Sequence, residues 1–70
     1  MNSKFLKDYV KVMRTITSVE TREQMKTARR LFSLLVKKWE KHAKTIDSYD
    51  ESIENLFMLV DSKTNLLYTI

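Results

Sequence analysis

His42 and the carboxylates Asp47, Asp50, Glu51 and Glu54 are the side chains whose types suit acid–base or metal chemistry. His42 is the chain's one histidine. A general acid or base needs a partner within hydrogen-bond reach, and no motif supplies one. It falls at the edge of an apolar helical arc beside Trp39 and Ala43, so a packed or surface role is expected. Asp47 with Glu51 and Asp50 with Glu54 have i,i+4 spacing. A hard cation usually needs six or more oxygens on a loop that turns at glycine, so these pairs read as a solvated face. With 0 Gly and 0 Cys, a phosphate-cradling loop, a cysteine-liganded zinc, a disulfide scaffold and a thiol nucleophile are all excluded. The expectation is a protein that is not an enzyme and takes no cofactor.

The remaining candidates are surfaces. Lys26, Arg30, Ser33, Lys37, Lys41 and Lys44 recur at spacings of 4, 3, 4, 4 and 3. On an unbroken helix they form a row of about 27 Å, at ~1.5 Å per residue. A row of this kind can lie along phosphates, so Lys26, Arg30, Lys37, Lys41 and Lys44 are candidate polyanion ligands. It holds no Asn, Gln or aromatic residue to read bases, and Glu23 and Glu40 flank it. A second candidate is the shoulder formed by Leu31, Leu34, Leu35 and Lys38, which suits a neighbouring chain. Leu34 lies well away from the Phe32–Trp39 stripe.

The elements that must present these faces are helical. The chain has 70 residues, with 0 Gly and 0 Pro. Ordinary usage of about 7% and about 5% would supply roughly eight such residues. Without φ > 0 specialists or helix breakers, helices joined by polar turns are expected. We read one helical domain over 1–70, an all-α unit of three helices at about 4–16, 22–44 and 49–60. In the first, Phe5, Leu6, Tyr9, Val10, Val12, Met13 and Ile16 fill one arc, with Ser3 as the cap. Lys4, Lys7, Lys11 and Arg14 line the other side. In the second, Met25, Ala28, Phe32, Leu35, Trp39, Ala43 and Ile46 make the buried stripe, and Trp39 is expected where the helices meet. Two capping boxes compete for its start, Thr17 with Glu20 and Thr21 with Gln24. In the third, Ser48 with Glu51 has the same spacing, and Ile53, Leu56, Phe57 and Val60 are the apolar stripe. Residues 56–70 read either as a helix end plus an apolar tail or as a hairpin of two apolar runs around a polar turn. The helix to about Val60 is favoured, with Leu66, Leu67, Tyr68 and Ile70 expected to be buried.

Charge is unevenly placed. Residues 1–46 hold 12 Lys and Arg against 4 Asp and Glu, and residues 47–70 hold 1 against 5, so +8 and −4 make the net +4. A basic body with an acidic end points to a polyanionic partner or to self-association by charge complementarity. A core this small rarely supplies more than ~3–5 kcal/mol, which also favours a homo-oligomer, expected here as a dimer through the long helix. No apolar run approaches spanning length and no signal segment is evident, so membrane association is not expected and a reducing cytoplasm is the expected setting.

The run Thr21–Phe32, through Thr21, Glu23, Gln24, Met25 and Ala28, resembles a helix start seen in small uncharacterised helical proteins of tailed phages. The resemblance implies a phage accessory protein that binds a host or phage macromolecule. The expected function is therefore a non-catalytic protein-interaction module, a modulator of a macromolecular machine. The alternative is a DNA- or RNA-binding regulator that uses the basic row.

Overall fold

A computed structural model describes residues 3–68. Three helices account for most of them: α1 at Ser3–Thr17, α2 at Arg22–Trp39 and α3 at Tyr49–Tyr68. A 3-10 helix, Glu40–Thr45, follows α2. No strand occurs among the described residues. All three helices pack on one another to form a rod of 42 × 16 × 16 Å. Phe5 near the start of α1 meets Trp39 at the end of α2 and Tyr49 at the start of α3. At the other end, Lys63 of α3 reaches Val19 in the α1–α2 turn. So α1 and α3 run parallel, and α2 runs antiparallel to both.

The apolar spacing explains the packing. Phe5, Val12 and Ile16 of α1, Met25, Ala28, Leu35 and Trp39 of α2, and Tyr49, Leu56 and Val60 of α3 are buried. Val19 and Ile46, from the two connections, complete the core. Burial is the dominant stabilising term, at about 25 cal/mol per Å² of apolar surface. One end of the core is aromatic. Phe5 sits edge-on to Trp39 at 5.6 Å between centroids and tilted against Tyr49 at 5.5 Å.

The helix ends use side chains because glycine is missing. Thr17 Oγ1 donates to the Met13 carbonyl and Ser18 Oγ to that of Thr15, which satisfies carbonyls at the end of α1. The competing boxes resolve in favour of Thr21. Gln24 N–H donates to Thr21 Oγ1 at 3.1 Å, and Thr21 N–H donates back to Gln24 Oε1 at 3.2 Å. Ser3 is already within α1 rather than ahead of it. At the start of α3, Ser48 takes a left-handed φ of 59°. Its carbonyl accepts from Ser52 N–H at 2.9 Å. The expected Ser48–Glu51 side-chain box is not formed among the described residues.

Two helix boundaries differ from expectation. The second helix was expected to continue to about residue 44, but α2 ends at Trp39 and the chain tightens into 3-10 geometry. Over Glu40–Thr45 only Ala43 is apolar, so apolar spacing cannot separate 3.6 residues per turn from 3.0. The third helix was expected to stop near Val60 and instead runs to Tyr68, which removes the hairpin. The polar stretch that looked like a turn is held inside the helix. Thr64 Oγ1 donates to the Val60 carbonyl and accepts from Arg29 Nη2, while Lys63 Nζ donates to the Val19 carbonyl. Arg22 secures the end, with Nε donating to the Leu67 carbonyl at 3.3 Å and its guanidinium 4.6 Å from the Tyr68 ring centre. A cation at the carbonyl end of a helix also suits its dipole.

The terminal apolar residues are less covered than expected. Leu66 is 76% exposed and Tyr68 43%, while Leu67 is half-buried. Ile70 lies outside the described residues. Phe57, placed on the buried stripe by spacing, is also exposed, as is Leu6.

Tyr49 carries a testable consequence. Its side chain is buried, and its hydroxyl has no hydrogen-bond partner among the described residues. Burial, then the nearby Glu40 and Asp50 carboxylates, push its pKa above the ordinary 10.0. Removing an unsatisfied buried hydroxyl relieves a desolvation cost. Tyr49→Phe is therefore expected to raise stability by about 1 kcal/mol in urea melts near neutral pH. A folded pKa above the unfolded one means stability is full below pH 10.0 and declines as pH rises beyond it. The Phe variant should lack that alkaline decline. A variant no more stable than the parent would argue that the hydroxyl is satisfied in solution.

Candidate interaction surfaces

The fold sorts the candidate residues into three places. Lys26, Arg30, Ser33 and Lys37 are exposed on the side of α2 opposite Ala28, Leu35 and Trp39, so that part of the row faces solvent. Its straight part spans 11 residue steps, about 17 Å at ~1.5 Å each. Lys41 and Lys44 are also exposed but belong to the 3-10 helix. The α-helical row of about 27 Å is therefore shortened, because a residue in a 3-10 helix turns about 120° rather than 100°. None of the five cations makes an ion pair or a side-chain hydrogen bond among the described residues. The acidic helix α3 does not cover the row: the one ion pair among the described residues joins Lys38 to Asp8.

The leucine shoulder meets α1 of the same chain. Leu35 is buried and Leu31 half-buried, while Leu34 stays 54% exposed. Together with Val12, Lys11, Asp8 and Lys38 they line a groove of about 150 Å³ between α1 and α2. The groove is apolar along its floor and cationic at its rims. On α2, Arg30, Lys37 and Lys38 stand three or four residues from Leu34, which makes them its neighbours on the helix surface.

Lys38 also closes one end of the groove. Its Nζ donates to Asp8 Oδ2 at 2.8 Å, and the same oxygen accepts from Trp39 Nε1 at 2.9 Å. The Lys38 hydrogen bond, then that of Trp39, hold the Asp8 carboxyl below the ordinary 3.8, with burial opposing them. Sequence reasoning passed over Asp8. The available signal was its place as the lone acid in a basic segment, at the margin of that segment's apolar arc.

The residues considered for chemistry are dispersed. His42 is exposed on the 3-10 helix, its ring 5.9 Å from that of Trp39. Asp47 lies in the turn before α3, whereas Asp50, Glu51 and Glu54 are exposed on that helix. No group of three or more His, Cys, Asp or Glu side chains is placed to hold a metal among the described residues.

The acidic outer face of α3 is the third surface. Asp50, Glu54, Phe57 and Asp61 recur at 4, 3 and 4, and all are exposed. Phe57 and the adjacent Met58 are each 58% exposed. None of these carboxylates forms an ion pair among the described residues. Phe57 borders a second groove, shared with Arg29 and Phe32 of α2.

These features define an all-α three-helix unit with a basic groove and an acidic outer helix. Comparison with protein-family models, curated proteins and solved structures finds no significant match. No helix among the described residues is long and apolar enough to cross a membrane.

Proposed function

We propose that the chain is a non-catalytic protein-interaction module whose working surface is the groove between α1 and α2. The observation that carries this reading is Leu34, 54% exposed above a floor of Val12, Leu31 and Leu35, with Lys11 and the Lys38–Asp8 pair at the groove's edge. An apolar side chain at the centre with charges at the rim is the usual anatomy of a protein interface. The fitting partner presents an apolar residue among carboxylates. The resemblance of residues 21–32 to phage helical proteins supports a setting in which the chain modulates a macromolecular machine in the cytoplasm. Self-association belongs to the same reading, since one small core supplies only ~3–5 kcal/mol.

The second reading is a DNA- or RNA-binding regulator. It is favoured by the unpaired, solvent-facing Lys26, Arg30 and Lys37. Salt separates the two. Phosphate contacts release counterions, so duplex affinity falls as a steep power of salt, whereas an interface with an apolar centre and a charged rim weakens far less steeply.

The test uses two variants. Leu34→Glu is expected to abolish capture of a partner from nuclease-treated lysate. Lys37→Glu with Lys41→Glu is expected to stay folded, because both sites are exposed. Duplex binding by the parent is expected to be weak at physiological salt. Tight, salt-sensitive duplex binding that this double variant loses would place the nucleic-acid reading first.

A further inference from the structure

We propose that the groove between α1 and α2 takes the acidic outer face of α3 from a second copy of the chain, an occupant that rests on the protein-binding reading above. The two faces are complementary. The groove is lined by Leu34, Lys11 and the ion-paired Lys38 and Asp8, and the exposed Arg30 and Lys37 flank Leu34 on α2 outside it. The outer face of α3 presents Phe57 and Met58 among Asp50, Glu54 and Asp61. Each face has exposed apolar side chains at its centre and a predominance of one charge around them, Asp8 being the exception at the groove and Arg29 beside Phe57.

Neither face suits itself. Two grooves set face to face would bring Lys11, Arg30 and Lys37 against their own copies, and two α3 faces would oppose carboxylates. Like charges brought together at an interface cost several kcal/mol and suppress that pairing. The symmetric dimer through α2 is therefore disfavoured. Groove against α3 instead sets Phe57 and Met58 on Leu34 and the carboxylates at the cationic rim. The groove lies between α1 and α2, whereas Phe57 and Asp61 border the separate groove between α2 and α3, so the contact is heterologous and, unless a ring closes, each added copy leaves one free face of each kind. Such assembly grows with concentration rather than stopping at two.

Sedimentation equilibrium over a wide concentration range tests this. The parent mass should rise past twice 8.4 kDa and fall back as salt is raised. Leu34→Glu blocks the groove, and the new carboxylate stands among Arg30, Lys37 and Lys38, which favours the folded helix. Glu54→Lys with Met58→Lys takes the α3 face from three negative charges to a net of none and removes one of its apolar residues, at two exposed positions. Each variant alone should be a monomer of 8.4 kDa. Mixed in equal amounts, they should form a one-to-one complex and grow no further, since each retains the face the other has lost. A parent that is monomeric throughout, a parent that stops at a dimer, or a mixture that stays monomeric would overturn the proposal. A monomeric parent that still captures a foreign protein through Leu34 would remove self-pairing and leave the protein-binding reading standing. Duplex binding lost in Lys37→Glu with Lys41→Glu, with no protein captured, would overturn both.

Discussion

Trp39→Ala is expected to leave the protein largely unfolded at room temperature. Large-to-small changes at buried aromatics cost about 3–5 kcal/mol, and a single core of this size supplies only about that much. Trp39 is 6% exposed and stacks edge-on against Phe5. Through Phe5 it belongs to the cluster that brings α1, the end of α2 and the start of α3 together. The indole also donates Nε1–H to Asp8. Removing the ring opens a cavity at one end of the rod and leaves Asp8 with Lys38 alone. Far-UV circular dichroism should show most of the helix lost. Trp39→Phe keeps part of the packing and loses the hydrogen bond, so it should remain folded with a lower melting temperature. A Trp39→Ala protein that melts like the parent would mean the aromatic cluster does not hold the three helices together.

Asp8→Ala should produce the next largest loss, about 2 kcal/mol, in the range for hydrogen bonds to a charged group. Most of it belongs to the Trp39 bond. The Lys38 side chain is 63% exposed, and ion pairs so open to water contribute little. Asp8→Asn keeps an acceptor for the indole and loses only the charge, so it should cost less than Asp8→Ala. Acid provides a second readout. Lys38 and then Trp39 lower the Asp8 pKa below 3.8 in the folded protein. A depressed folded pKa contributes stability that is present above the unfolded value and lost as pH falls through the folded one. The difference between parent and Asp8→Asn should therefore be constant near neutral pH and shrink below about pH 4. An equal difference at all pH values would mean that the carboxylate charge contributes nothing.

Much of the fold was legible in the chain. The absence of Gly and Pro, together with apolar residues at spacings of three and four, specified three helices and most of the buried positions, Trp39 among them. The Thr21–Gln24 box was readable because its chemistry is local: a hydroxyl and an amide three residues apart satisfy backbone groups within reach. The uneven charge was equally plain, since it needs no geometry.

What tertiary structure alone decided is where the same local pattern had two continuations. Apolar runs on either side of Asp61–Thr64 suit a hairpin or a helix. The helix was selected by distant partners, with Arg29 at Thr64, Lys63 at Val19 and Arg22 at Leu67 and Tyr68. The end of α2 at Trp39 could not be read, because Glu40–Thr45 carries too little apolar surface for burial to choose a pitch. Phe57 followed the apolar spacing, yet a helix packed on only two neighbours leaves its outer arc in water. Asp8 meets Lys38 and Trp39, about thirty residues away, only because α1 and α2 pack antiparallel. The groove beside it has the same origin: Leu31, Leu34 and Leu35 are a shoulder on one helix, and only the approach of α1 turns that shoulder into a site.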